Sequence, residues 1–353
     1  MRFYAILALG ALLAAPASAA RTKYIFDGVG VYGTNSLTAK QIEEKIGEQA
    51  RRYYNRRGVK SKMVKREAAR MRKKIAADVK KMGDFAWLQL HEIRVPSEDG
   101  QRHYLFFFEV IEKKDMSRRM PFRDAPKDTV KDTSGLLEAY AKYDAAGWAL
   151  VRKNELRVER QDCPAYYCTW GGARPELARL QAAFSGKVTP YKKLLIQVMQ
   201  EDKDPARRAN AIYLLTYHGD GAELSNAISH GLIDPSAKVR EAAMNVYTDI
   251  AIYNSELPIP VHQILRHLDF PLPEDRDRAL SLMLSLANNP DYRSFLLHKA
   301  STPILKLLRD GSPANREMAH TVLRLMSDVE YKRDDYEAWE KWVWKARREK
   351  SGE

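Results

Sequence analysis

Four times in the second half of the chain an Arg is followed three residues later by Ala, and three beyond that by an aliphatic residue. The four are Arg208/Ala211/Leu214, Arg240/Ala243/Val246, Arg276/Ala279/Leu282 and Arg316/Ala319/Val322, at successive steps of 32, 36 and 40 residues. A period of that size belongs to stacked helical units, each of which buries its apolar face against its neighbours rather than alone. An apolar helix is expected before each Arg-x-x-Ala helix, over residues 191–201, 222–232, 261–268 and 303–309. The two are joined by turns at Asp204-Pro205, Asp234-Pro235, Pro273-Glu274-Asp275 and Asp310-Gly311-Ser312-Pro313. Asp or Ser before Pro starts a helix well, because the side chain accepts from an orphan amide and Pro has no amide to leave unpaired. Long connections at 252–260 and 288–293 predict irregular stacking. A stack of repeats must also cover its open end. Tyr336, Trp339 and Val343, at helical spacing, read as a capping helix, followed by a basic tail at Lys345, Arg347, Arg348 and Lys350. An aromatic anchor for a partner or a membrane surface is the alternative.

This pattern resembles HEAT repeats over residues 191–331. The resemblance implies an α-helical solenoid of about four helix pairs that binds protein partners along its concave surface. It also implies ion pairs between neighbouring repeats, which here would join Asp204, Asp234, Asp275 and Asp310 to Arg208, Arg240, Arg276 and Arg316.

The first part of the chain has a different grammar. An extended stretch at 24–32 leads to a helix near Thr38, with Ile42 and Ile46 four apart, and then to a helix over 61–82. Two strands follow, 85–93 and 104–111, across the turn-forming 96–100. The order is β-α-α-β-β. With Val31-Tyr32-Gly33, Ser36 to Ile42, Met82 to Phe85 and Phe108 to Glu112, it resembles a POTRA domain, apart from a longer and more basic insert at 50–61. That resemblance implies an exported α+β module that binds proteins by adding a strand to a sheet edge. No barrel accompanies it.

Charge is concentrated in one place. The chain carries 59 Lys+Arg and 46 Asp+Glu, a formal +13, and residues 51–81 hold fourteen basic residues against Glu67 and Asp78. Beyond that segment and the leader, the chain balances at 44 basic and 44 acidic residues. Val64, Ala68, Met71, Ile75, Val79 and Met82 form one narrow helical stripe, so the helix is expected to dock by that stripe and show water a basic back. Arg51, Arg52, Arg56, Arg57, Lys65, Arg66, Arg70, Lys73 and Lys74 are the candidate anion- or partner-binding residues. Nucleic acid, anionic lipid and an acidic protein are the candidate ligands, and a solvated face without a ligand is the alternative. Tyr53 and Tyr54 could add stacking.

Residues 1–19 read as a secretory signal peptide, with Arg2, an apolar run at 3–13 and Ala17-Ser18-Ala19 as the cleavage site. No later run is comparably apolar, so an exported chain without a transmembrane segment is expected, periplasmic rather than extracellular. Export makes nucleic acid the least available ligand. It also predicts a disulfide between Cys163 and Cys168, the chain's two cysteines. Residues 116–132 read as linker, 134–143 as a short helix, and 148–151 with 156–158 as a small hairpin. The expected divisions are a module over 20–113, a disulfide-clipped connector over 114–185, repeats over 186–332 and a cap over 333–353. No nucleophile elbow, phosphate loop or zinc-binding His pair is present. The reading is an exported non-enzymatic scaffold with no cofactor and no metal, binding proteins through its repeats. The alternative is a binder of anionic lipid, glycan or nucleic acid through residues 51–81.

Overall fold

The computed structural model describes residues 23–57, 59, 61–157, 163–172 and 174–351; the leader over 1–19, Lys60 and Val158 lie outside them. The chain is mostly helical, with one small sheet near its start. That sheet belongs to a module of β1 (Tyr24–Tyr32), α1 (Ala39–Arg57), α2 (Lys62–Lys80), β2 (Phe85–Val95) and β3 (Arg102–Glu112). β3 is central, parallel to β1 and antiparallel to β2. Its run Phe106 to Ile111 is buried throughout, because both faces of the strand are covered. Phe106, Phe108 and Val110 pack with Ile42 and Ile46 of α1 and Ile75 and Val79 of α2. Phe107 joins Tyr32 in the core of the helical part, and Glu109 bonds Arg276 there. The sheet is thus held between its own helix hairpin and the helices that follow. α1 continues to Arg57, so most of the expected basic insert is the last turns of a helix.

The helices that follow are α3 (Met116–Arg119), α4 (Leu136–Arg152), α5 (Pro175–Ala182), α6 (Lys192–Glu201), α7 (Pro205–Leu215), α8 (Gly221–Ile228) and α9 (Ala237–Tyr253). Then come α10 (Val261–Arg266), α11 (Pro273–Ala287), α12 (Pro290–Lys299), α13 (Ser301–Asp310), α14 (Pro313–Ser327) and α15 (Tyr336–Ser351). The four Arg-x-x-Ala helices form a row in which α7 packs on α9, α9 on α11 and α11 on α14. Ala211, Ala243, Ala279 and Ala319 are fully buried along it, where a larger side chain would push the helices apart. Asp204 and Ser312 cap α7 and α14 as expected, accepting from Ala206 N at 2.8 Å and Asn315 N at 3.3 Å.

Three expectations are corrected. The connection at 288–293 is not a loop; it opens into α12, whose Leu296 and Leu297 are buried. Residues 148–151 are not in a hairpin but complete α4, whose Leu136, Leu137, Tyr140, Tyr143 and Gly147 are buried along one face. Gly147 lets Trp170 approach: a Cβ there would meet its indole at 2.3 Å. The supposed linker is pinned rather than free. Val130 N donates to Asp202 at 3.1 Å, and Arg123 Nη2 reaches Asp234 at 2.6 Å and the Met199 carbonyl at 3.1 Å.

α15 packs on α13 and α12 at the end of the array, with Trp339 and Val343 buried and Trp339 edge-on to His320 of α14. Cys163 and Cys168 form a disulfide with 5.6 Å between their Cα atoms. Replacing both by Ser is expected to cost about 2 kcal/mol, the chain-entropy value for so short a loop. Urea unfolding of the oxidised protein against the double variant measures it, and equal midpoints would remove the clip from any structural role.

Candidate anion-binding face

The nine basic candidates divide sharply. Those on α1 are tied to carboxylates. Arg51 lies 3.9 Å from Glu43, Arg52 2.5 Å from Glu48, Arg56 pairs with Glu67, and Arg57 with Glu92. Lys65, Arg66, Arg70, Lys73 and Lys74 on α2 are exposed and have no carboxylate partner among the described residues, and Lys62, Lys80 and Lys81 extend the same set. α2 packs on α1 and β2, with the stripe ending in buried Ile75 and Val79. Its basic back therefore faces away from the sheet, and the array lies on the sheet's other side. At 1.5 Å per residue the helix displays these charges along about 28 Å.

The aromatic component fails. Tyr53 and Tyr54 are buried on the sheet side, where Tyr53 Oη donates to Glu92 at 2.8 Å and Tyr54 stacks on Tyr104. Burial pushes both phenols above their usual pKa. Glu92 was not singled out by sequence, yet it organises this corner. Besides Arg57 and both tyrosines, it accepts from Arg72 Nε at 3.1 Å.

A second cluster, at the joint between module and array, also escaped the sequence reading. Arg276 is fully buried and bonds the Asn315 side chain at 2.9 Å, the Phe270 and Pro271 carbonyls at 2.7 and 2.9 Å, and Glu109. Its guanidinium lies 4.4 Å from the centre of the Tyr32 ring, and that of Arg119 lies over the same ring at 5.4 Å. Arg119 donates to the Gly33 and Val110 carbonyls at 3.2 and 2.7 Å and to the Asp269 carbonyl at 2.9 Å, bridging module and array. One signal was available. A Glu in the middle of a buried apolar strand demands a charged partner.

The expected Asp–Arg pairs form in two places. Arg208 grips Asp234 at 2.9 and 2.7 Å, and Arg240 grips Asp275 at 3.0 and 2.6 Å, each with both oxygens engaged. Arg276 does not take Asp310, which binds Arg309 instead. Arg316 ends on the Leu308 carbonyl and the Tyr336 hydroxyl. Asp204 remains a helix cap, and Asp202, buried beside it, pairs with Arg207 at 2.9 Å.

Among the described residues no three His, Cys, Asp or Glu stand close enough to hold a metal, and no helix is long and apolar enough to cross a membrane. No protein-family model, curated protein or solved structure matches this chain.

Proposed function

We propose that the protein is an exported, non-enzymatic docking protein in which a HEAT-like array braces a POTRA-like module, and that the outward face of α2 engages anionic lipid headgroups. The observation carrying this reading is the set of eight exposed cations, Lys62, Lys65, Arg66, Arg70, Lys73, Lys74, Lys80 and Lys81, without carboxylate partners among the described residues. A face that neutralises none of its charge internally gains most from a polyanion. With the apolar stripe of α2 committed to the fold, binding is electrostatic and peripheral, at about 1 kcal/mol per basic residue near the surface. The burial of Tyr53 and Tyr54 removes the stacking platform that single-stranded nucleic acid would use. The two inter-repeat Arg–Asp pairs support the HEAT resemblance, the 1-3-2 sheet under a helix pair supports the POTRA resemblance, and the disulfide supports export.

Changing Lys65, Arg66, Lys73 and Lys74 to Glu is expected to weaken binding to phosphatidylglycerol-containing vesicles about a hundredfold or more, and salt should do the same. Sedimentation with anionic and with purely zwitterionic vesicles measures this. Equal binding to both, or an unaffected variant, would sink the lipid reading.

A partner protein bound along the array is the second reading, favoured by a separate observation. Two adjoining hollows of about 470 and 400 Å³, the first of mixed and the second of mainly apolar lining, share Ile259 and Tyr292 beside exposed Ile252 and Tyr253. A partner recovered from cell envelopes at high ionic strength and lost on Ile252→Asp would support it.

A further inference from the structure

The joint holds a second basic place, separate from α2. A cleft of about 420 Å³ lies between the module's Gly30–Thr38 stretch and the α13–α14 hairpin, which contributes Lys306, Arg309, Asp310 and Arg316. The charges on its wall do not cancel. Arg309 and Asp310 satisfy each other at 3.1 to 3.2 Å. Arg316 directs its guanidinium at a carbonyl and a phenol, neither of them anionic. Lys306 has no ion pair among the described residues, and its Nζ stands 5.2 Å from the centre of the Tyr32 ring. Burial pushes the Lys306 pKa down, and the neighbouring Arg119 and Arg118 add to this against the opposing pull of Asp310 and Asp115. A half-buried ammonium among guanidiniums is a charge in search of an anion.

We propose that this cleft binds a small molecule bearing a phosphate or carboxylate group, with Lys306 and Arg316 as its anchors. The hollow exceeds what one inorganic anion fills and falls in the size range of small-molecule sites, about 300–1,000 Å³. The oxyanion is therefore one end of a larger polar ligand. Because one wall belongs to the module and the other to the array, the bound molecule ties the two together. It stabilises the folded chain in proportion to the logarithm of its concentration over its dissociation constant.

Calorimetric titration and thermal melting of the full chain with inorganic phosphate, glycerol 3-phosphate and citrate test this. Glycerol 3-phosphate or citrate is expected to bind more tightly than inorganic phosphate and to raise the melting temperature, and which of the two is tighter tells phosphate from carboxylate. Lys306→Met should weaken binding at least tenfold and Lys306→Arg should retain it. The Lys65, Arg66, Lys73, Lys74 to Glu variant should bind as the wild type does, which separates this site from the α2 face. No binding of any of the three, binding unchanged in Lys306→Met, or binding lost in the α2 variant instead would overturn the proposal.

Discussion

Arg276→Ala is expected to destabilise the protein by about 3–5 kcal/mol and to loosen the module from the array, the usual penalty for removing one partner of a buried ion pair. Few side chains here are so committed. The Arg276 guanidinium closes the carbonyl end before α11, reaches Asn315 at the start of α14, crosses to Glu109 in β3 and stacks on Tyr32. Alanine would strand the Glu109 carboxylate, whose Oε2 already has no hydrogen-bond partner among the described residues, in a fully buried place. Burial raises the Glu109 pKa to about 7 even with Arg276 pulling it down, so without the guanidinium the side chain would fold protonated and the cost would stay finite. Arg276→Met with Glu109→Leu removes both charges and should recover most of the loss. Urea unfolding supplies the energies. Limited proteolysis reports the loosening, as faster cleavage between β3 and α4 in the single variant. A loss below about 1 kcal/mol would mean that the joint is held by Arg119 and packing alone.

How far the sequence could be read depended on whether each feature is local or assembled. Arg208 with Asp234 and Arg240 with Asp275 were legible because repeat spacing alone brings them together. The third rung was not. Its Arg turns to Asn315 and Glu109, and no periodicity connects a strand in the module with a helix some 160 residues later. The burial of Tyr53 is legible in the spacing: Ile42, Ile46, Ala50 and Tyr53 follow one another at 4, 4 and 3 residues, which places Tyr53 on the buried stripe of α1. The same count along Leu136, Tyr140, Tyr143 and Gly147 would have carried α4 past Tyr143 and left no room for a hairpin. The α2 face was fully legible as pattern. The Arg52–Glu48 pair, four residues apart on one helix, was legible too; what the sequence could not show is that Arg56 reaches Glu67 on α2 and that Arg57 and Arg72 converge on Glu92 in β2 while the outward cations of α2 meet no carboxylate among the described residues, since such pairing is a property of the assembled module.

The protein should also lose stability in acid through one buried histidine. His267 is fully buried and stacked on Phe270, 4.2 Å between ring centres. Burial lowers its pKa to about 4, with Asp275 opposing and Arg240 and Arg266 adding to the shift. Unfolded, the imidazole titrates near its ordinary value of about 6.5. The folded chain therefore holds this proton less tightly than the unfolded one does. The resulting stabilisation is complete above about pH 6.5 and is lost as pH falls toward 4, by which point the loss amounts to about 3 kcal/mol. Glu109 has the opposite sign. Its raised pKa makes the folded chain the better proton acceptor, so its contribution grows as pH falls from about 7 to 4.5. The two partly cancel in the wild type, and only a difference isolates His267. His267→Phe preserves the ring and the stack on Phe270 while removing the titration. Urea unfolding of both proteins at steps between about pH 7.5 and 4 should show curves that diverge below about pH 6.5, with the variant gaining relative to the wild type by about 3 kcal/mol at the acid end. Parallel curves would mean that the imidazole takes up its proton without leaving its place, and that the acid sensitivity of the array lies elsewhere.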